Sequence, residues 1–256
     1  MTESVPSALR IEGLGLQIGG ATILKDVELD IAAGSLVGVI GPNGAGKTTL
    51  FNVVSGLLRP TAGRVLMNGA DITSASVPAR ARAGLGRTFQ TSSLFPKLSV
   101  LENVRLAAQV AIGGDYSLLR FPRKSDAATA LAIAKLDAVG LTHKLETPAG
   151  DISHGDKRKL EIAVLLATEA SIVLLDEPMA GVASGDVPGL VDNIRQMQRD
   201  TGCTVLMVEH HIDVLMGLVD RVAVMYFGTI IAYDTPDAVM ANPLVQSAYL
   251  GKADAA

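Results

Sequence analysis

The sequence predicts an α/β protein: a nucleotide-binding core with a small antiparallel sheet against one side and a largely helical insert. Three observations carry that prediction. The apolar run Leu36-Val37-Gly38-Val39-Ile40 leads into Gly41-Pro42-Asn43-Gly44-Ala45-Gly46-Lys47-Thr48-Thr49, a phosphate-loop pattern between a strand and a helix. Near-continuous apolar runs recur at 172–175, 204–208 and 221–225, as strands of a parallel sheet covered on both faces require. Residues 9–12, 14–18 and 27–31 instead alternate with period 2, and Gly19-Gly20 and Ala33-Gly34 punctuate them, so they read as antiparallel strands.

In chain order, the helix after the loop runs over 48–57 and closes at Gly56. A turn at 59–63 precedes a strand at 64–67, and Asn68-Gly69 turns the chain again. Residues 84–97 hold a short strand and a polar loop. Ser99 and Glu102 form a capping box opening a helix to about Ile112. The glycine-rich, aromatic and basic stretch 113–124 reads as an exposed connection. Helical spacing covers 126–139, closed by Gly140, and then 153–168. After the strand at 172–175, helices at 188–199 and 212–216 alternate with the strands at 204–208 and 221–225. Residues 228–232 form a return strand, and the tail 236–250 holds short helices. The expected division is 8–92 for the antiparallel sheet and first half of the core, 93–165 for the helical insert, and 166–256 for the second half and tail.

At 256 residues the chain can bury a sizeable core. Its net charge of -4 gives no global argument for a nucleic-acid partner. The lone Cys203 excludes an internal disulfide framework and suits a reducing compartment. Residues 1–10 carry no apolar core of a signal peptide. With no run of about 18 apolar residues, a membrane role is expected to come through a partner.

The glycines of the phosphate loop let successive N–H groups turn inward as an anion nest, completed by the helix N-terminus. Lys47 can reach the β- and γ-phosphates, and the Thr48 hydroxyl can ligate Mg²⁺. The pattern implies a bound nucleoside triphosphate. Asp176 and Glu177 end the apolar strand at 172–175, where ligands of parallel sheets are met. Asp176 is the expected Mg²⁺ holder, and Glu177 is placed to orient or deprotonate a water. His210 follows the strand at 204–208 and can hydrogen-bond a γ-phosphate oxygen and that water, whereas His211 points elsewhere. Gln90, after Thr88-Phe89, can contact a Mg²⁺-bound or attacking water. Ser153 caps the helix that follows, with Gly155 and Asp156 in its first turn. That N-terminus is a second potential phosphate site, and Asp156 is a local objection to it.

Together these blocks resemble the ATP-binding cassette proteins, the motor subunits of ABC transporters. In that light Gly41 to Thr49 is the Walker A loop, Gln90 the Q-loop, and 172–177 Walker B with its catalytic glutamate. His210 is then the switch histidine, and Ile152-Ser153-His154-Gly155-Asp156 stands where the family has its L-S-G-G-Q signature. The resemblance implies a single cassette domain with a RecA-like core, an antiparallel β subdomain and an inserted helical subdomain. It implies two cassettes closing head to tail on two ATP molecules with Mg²⁺, each ATP touching one subunit's Walker loops and the other's signature. The finer pattern, in Gly84 to Gln90, Leu94 to Asn103, 113–124, Lys159 to Ala163, Glu209-His210 and the tail 236–251, resembles importers of branched-chain amino acids. Such importers pair two cassettes, often non-identical, with two membrane permease subunits and an external binding protein, the cassettes lying on the cytoplasmic face of the inner membrane. The Ser-His-Gly triplet also resembles urea-importer cassettes, and lipopolysaccharide exporters are related. A soluble ABC ATPase acting on nucleic acid is the alternative from another class, against which the short insert and single Cys argue. Four departures are visible: Ile18 where the family stacks an aromatic ring on adenine, His154 and Asp156 in the signature, and Ala183 in the D-loop.

Overall fold

The structure, a computed structural model, describes residues 6–88, 94–112 and 127–250. Among these residues two hydrogen-bonded sheets are present, and the chain divides into two compact units. The first draws on residues up to Arg87, Ser171–Glu177 and Gly202 onward. The second comprises Thr88–Ala170 and Pro178–Thr201, so it includes a helix that the sequence reading assigned to the second half of the core.

The first unit opens with β1 (Ser7–Ile18) and β2 (Ala21–Ala32), joined at Gly19-Gly20. The two strands expected at 9–12 and 14–18 are one. The pairing register slips between Ile11 and Leu14, and Gly13 sits at φ 56°, a bulge rather than a turn. Only glycine takes that conformation without strain, and the Glu28 carboxylate accepts the freed Gly13 N–H. β4 (Ala62–Met67) and β5 (Ala70–Asp71) complete a four-stranded antiparallel sheet in the order β2-β1-β4-β5.

The second sheet carries the chemistry. Its strands are β3 (Leu36–Ile40), β6 (Leu85–Arg87), β7 (Ile172–Asp176), β8 (Thr204–Val208), β9 (Arg221–Tyr226) and β10 (Thr229–Asp234). The order is β10-β9-β3-β8-β7-β6, with every pair parallel except β9 with β10. Every residue of β3, β7 and β8 is buried, the physical counterpart of their unbroken apolar runs. Helix α1 (Lys47–Ser55) follows β3. Leu50, Phe51, Val53 and Val54 enter a core shared with β1, β2 and the parallel strands.

The C-terminus of α1 is closed by a residue that local patterning did not reveal. Arg80, 1% exposed on α2 (Val77–Arg82), donates to the Val53 and Val54 carbonyls at 2.7 and 2.6 Å. A cation there meets the negative end of the helix dipole. Burial lowers its pKa, and Asp71 opposes the shift.

In the second unit, α3 (Val100–Ala111), α4 (Ala127–Ala138), α5 (His154–Ala167) and α6 (Val187–Thr201) pack together. The capping box at Ser99 is half made. Ser99 accepts from the Glu102 N–H at 3.2 Å, but the Glu102 carboxylate turns to Arg105 at 2.7 Å. The connection expected at 113–124 lies outside the described residues. Helices α7 (Ile212–Leu218), α8 (Pro236–Met240) and α9 (Pro243–Leu250) belong to the first unit.

Candidate functional site: a phosphate loop facing a Glu–His pair

The site is built at the carboxyl ends of β3, β7 and β8, neighbours in one sheet. After β3, Gly44 and Gly46 take φ of 80° and 103°, turning main-chain N–H groups in succession as an anion nest needs. Gly46 is also the N-cap of α1, and no side chain caps the helix. Its first N–H groups, including those of the expected contact residues Thr48 and Thr49, are therefore left for an anion. Lys47, 7% exposed, folds over the loop, and its ammonium donates to the Gly41 and Pro42 carbonyls at 2.7 and 3.1 Å. Burial lowers its pKa, while the charge of Glu177 raises it. The loop is clamped from behind, where Gly228 N–H donates to Ala45 O and Lys25 N–H donates to Gly228 O, both at 2.9 Å.

At the end of β7, Asp176 is 1% exposed and pairs with Arg87 of β6 at 2.9 Å. Arg87 also donates to Asn52 Oδ1 and Ser55 Oγ of α1 and lies 5.9 Å from the Phe51 ring centroid. One guanidinium thus ties Asp176 to the helix that the phosphate loop begins. Burial raises the Asp176 pKa, Arg87 opposes the rise, and Glu177 adds to it. Sequence reasoning missed Arg87, whose basic character in a three-residue strand was the only available signal.

Glu177 stands at φ 48°, a left-handed conformation unfavourable for a non-glycine residue. It is fixed there by its own N–H, which donates to Val208 O at 2.9 Å. Its Oε1 lies 3.0 Å from His210 Nε2. The two residues expected to handle the water are thus in direct contact. His210, Glu209 and Ile212 face Ile40 to Asn43 across a cleft of about 280 Å³.

The other expected residues fall elsewhere. Ile18 ends β1, 52% exposed, and presents an aliphatic surface. Gln90 lies outside the described residues. Ser153 and Gly155 belong to the helical unit, where Ser153 Oγ accepts from Asp156 N–H at 3.1 Å and caps α5. Asp156 pairs with Lys144 at 2.5 Å. Burial raises the Asp156 pKa, but Lys144 and Ser153 outweigh that and hold it below the ordinary value. A second carboxylate had no local signal. A Cβ on Gly155 would lie 3.2 Å from Asp186 Oδ2, so Asp186 rests against the first turn of α5.

The ABC transporter family model matches residues 24–180. The chain belongs to the ABC transporter family. A second model, the branched-chain amino acid ATP-binding cassette transporter, matches residues 229–255 of the cassette. The high-affinity branched-chain amino acid transport ATP-binding protein LivG of Escherichia coli K12 is 36% identical over 250 residues, covering 96% of this cassette and 98% of LivG. BraF of Pseudomonas aeruginosa, of the same description, is 34% identical over the same shares. Among solved structures, the ADP conformation of an ATP-binding cassette of an ABC transporter superposes with a TM-score of 0.83 at 30% identity, covering 96% of this chain and 99% of that one. Clostridium perfringens cbiO1, part of the ABC transporter complex cbiONQ, gives 0.81 at 27%, covering 96% and 95%. The cassette is an ATP-binding ATPase of the kind coupled to transport. No helix among the described residues is long and apolar enough to cross a membrane.

Proposed function

We propose that this cassette hydrolyses ATP to drive uptake of branched-chain or related hydrophobic amino acids. It would work from the cytoplasmic face of the inner membrane with a second, non-identical cassette, two permease subunits and, through them, an external binding protein. Full-length similarity to LivG and BraF, together with the match at 229–255, supports the substrate class.

The contact between Glu177 and His210 at 3.0 Å carries the mechanistic reading. The N–H groups of the phosphate loop and Lys47 receive the β- and γ-phosphates. Glu177 orients the attacking water and takes up its proton, and His210 steadies both the carboxylate and the γ-phosphate. Gln90 would complete the water's coordination. Ser153 and Gly155 would meet the nucleotide held by the other cassette. The residues fit Mg²⁺: Thr48 and Asp176 supply the oxygen donors this ion takes. The charge of Glu177 adds to the rise of the Asp176 pKa, negative charge that a bound cation would offset. Bound there, the ion would neutralise charge on the β- and γ-phosphates.

Glu177→Gln keeps the side chain's shape and removes its basicity. ATP binding should stay within about twofold while turnover falls by about 10²-fold or more. Binding is measured by calorimetry and turnover by phosphate release, and turnover near that of the unaltered cassette refutes the assignment. ATP-driven uptake of leucine by the reconstituted transporter, with urea as comparison, tests the substrate class.

A further inference from the structure

The turn that presents His210 is organised by a residue to which neither the motif pattern nor the proposed mechanism gives a task. Glu209 is 3% exposed at the end of β8. A carboxylate so deeply buried is unfavourable unless it is hydrogen-bonded. Its Oε2 accepts from the His210 N–H at 3.0 Å and from the His211 N–H at 3.4 Å, and lies 3.3 Å from His211 Nδ1. The other polar group of the His210 backbone is held as well, because Ile212 N–H donates to His210 O at 3.0 Å. His211 between them sits at φ -81° and ψ 79°, an inverse γ-turn. Both main-chain hydrogen-bonding groups of His210 are therefore fixed, one of them by the Glu209 side chain. The His210 ring itself is half exposed, and among the described residues its tip is held by Glu177. A half-exposed ring keeps its place only as well as the backbone beneath it does.

We infer that Glu209 is a positioning residue that holds the His210 turn so that the imidazole meets Glu177 and the γ-phosphate. Its hold comes from a buried acceptor oxygen at the right place, to which the carboxylate charge adds strength. The geometry also divides the work between two strand ends. Val208 O fixes the Glu177 backbone and Glu209 fixes that of His210, so the last residue of β8 and the one after it set both partners of the 3.0 Å contact. His211, which the sequence left without a task, closes the clasp from outside.

This inference rests on the proposed role of His210, and a double-mutant cycle separates the two. His210→Ala and Glu209→Met, which keeps side-chain length and removes the acceptor, are made singly and together in the otherwise intact chain. Glu209→Met should lower kcat by about 10- to 100-fold, the size expected of a misplaced group, with the KM for ATP within about twofold. In the His210→Ala background the same substitution should change kcat less than about twofold. Glu209→Gln, whose amide oxygen still accepts both N–H groups, should recover kcat to within about threefold of the unaltered cassette. If Glu209→Met does not fold, as judged by thermal unfolding, Glu209→Ala replaces it in the cycle. An unchanged kcat in the single variant overturns the inference, as does an equal loss with and without His210. If His210→Ala alone turns over normally, it is the catalytic reading that fails.

Discussion

Helices α1 and α5 each follow a small N-cap residue, Gly46 and Ser153, yet their N-termini are prepared in opposite ways. At α1 no side chain caps the helix, no acidic residue stands in the first turn, and Lys47 is the first helical residue. At α5 the Ser153 hydroxyl already takes an N–H, Asp156 occupies the first turn, and Asp186 leans against Gly155. The positive end of α5 is largely satisfied by its own chain, whereas that of α1 is left for a ligand. What stabilises a helix end is the same set of contacts that makes it a poorer anion site. One unit therefore holds a helix N-terminus with no side-chain cap, and the other holds one capped by Ser153 with Asp156 in its first turn.

The sharpest way to break this contrast is at α1. Lys47→Ala removes the charged side chain folded over the loop. ATP affinity should fall about 30-fold or more, about 2 kcal/mol upward, as when a buried charge partner is truncated. Calorimetric titration measures it, and a loss under about threefold would mean that the phosphates are held elsewhere.

Asp156→Gln addresses α5. Removing a carboxylate from the first turn should strengthen ATP-dependent association of cassettes by about 3- to 10-fold, about 1 kcal/mol. Sedimentation in a Glu177→Gln background reads this directly, and unchanged association would show that the α5 terminus does not meet phosphate. The same position has a pH signature. The folded-state pKa of Asp156 is depressed, so its pairing with Lys144 stabilises the fold above the ordinary value of 3.8. That contribution disappears as pH falls through the depressed value. Asp156→Asn should thus be destabilised by up to about 1 kcal/mol near neutral pH and match the unaltered cassette in strong acid, as thermal melts would record. Asp176 has the opposite sign: burial raises its pKa, so its ionisation costs stability above that raised value, and acid relieves it.

The smallest expected effect concerns the base rather than the phosphates. Ile18→Tyr gives the hairpin end a ring that can stack on adenine, worth about 0.5–1.5 kcal/mol, or about 2- to 10-fold in ATP affinity. Affinity unchanged by the ring would move the base away from β1.

Much of this contrast was readable in the chain because it is local. The phosphate loop, the Ser153 cap and the acidic strand end are each defined by residues a few positions apart. The alternation from 9 to 18 was correctly read as strand but split in two, because a bulge and a turn leave the same glycine in a sequence. What stayed hidden spans long separations. Arg87 meets Asp176 across 89 positions, and Arg80 closes α1 from 26 positions away. Asp186 reaches Gly155 only because the loop before α6 returns to the start of α5. Glu209 was legible beside His210 as part of the family pattern, but its task was not, because that rests on burial, which a polar letter at a strand end does not disclose.

The position of β3 within its sheet has a consequence for how the protein is made. Its only neighbours are β8 and β9, in registers that pair Val37 with Leu206 and with Arg221. The turn that clamps the phosphate loop arrives later still, at Gly228. A nascent chain on the ribosome therefore carries the loop from early in synthesis without the strands that shape it. The pairing around the loop is completed only once residues to Gly228 have emerged, so a shorter nascent chain lacks the strands and the turn that shape it.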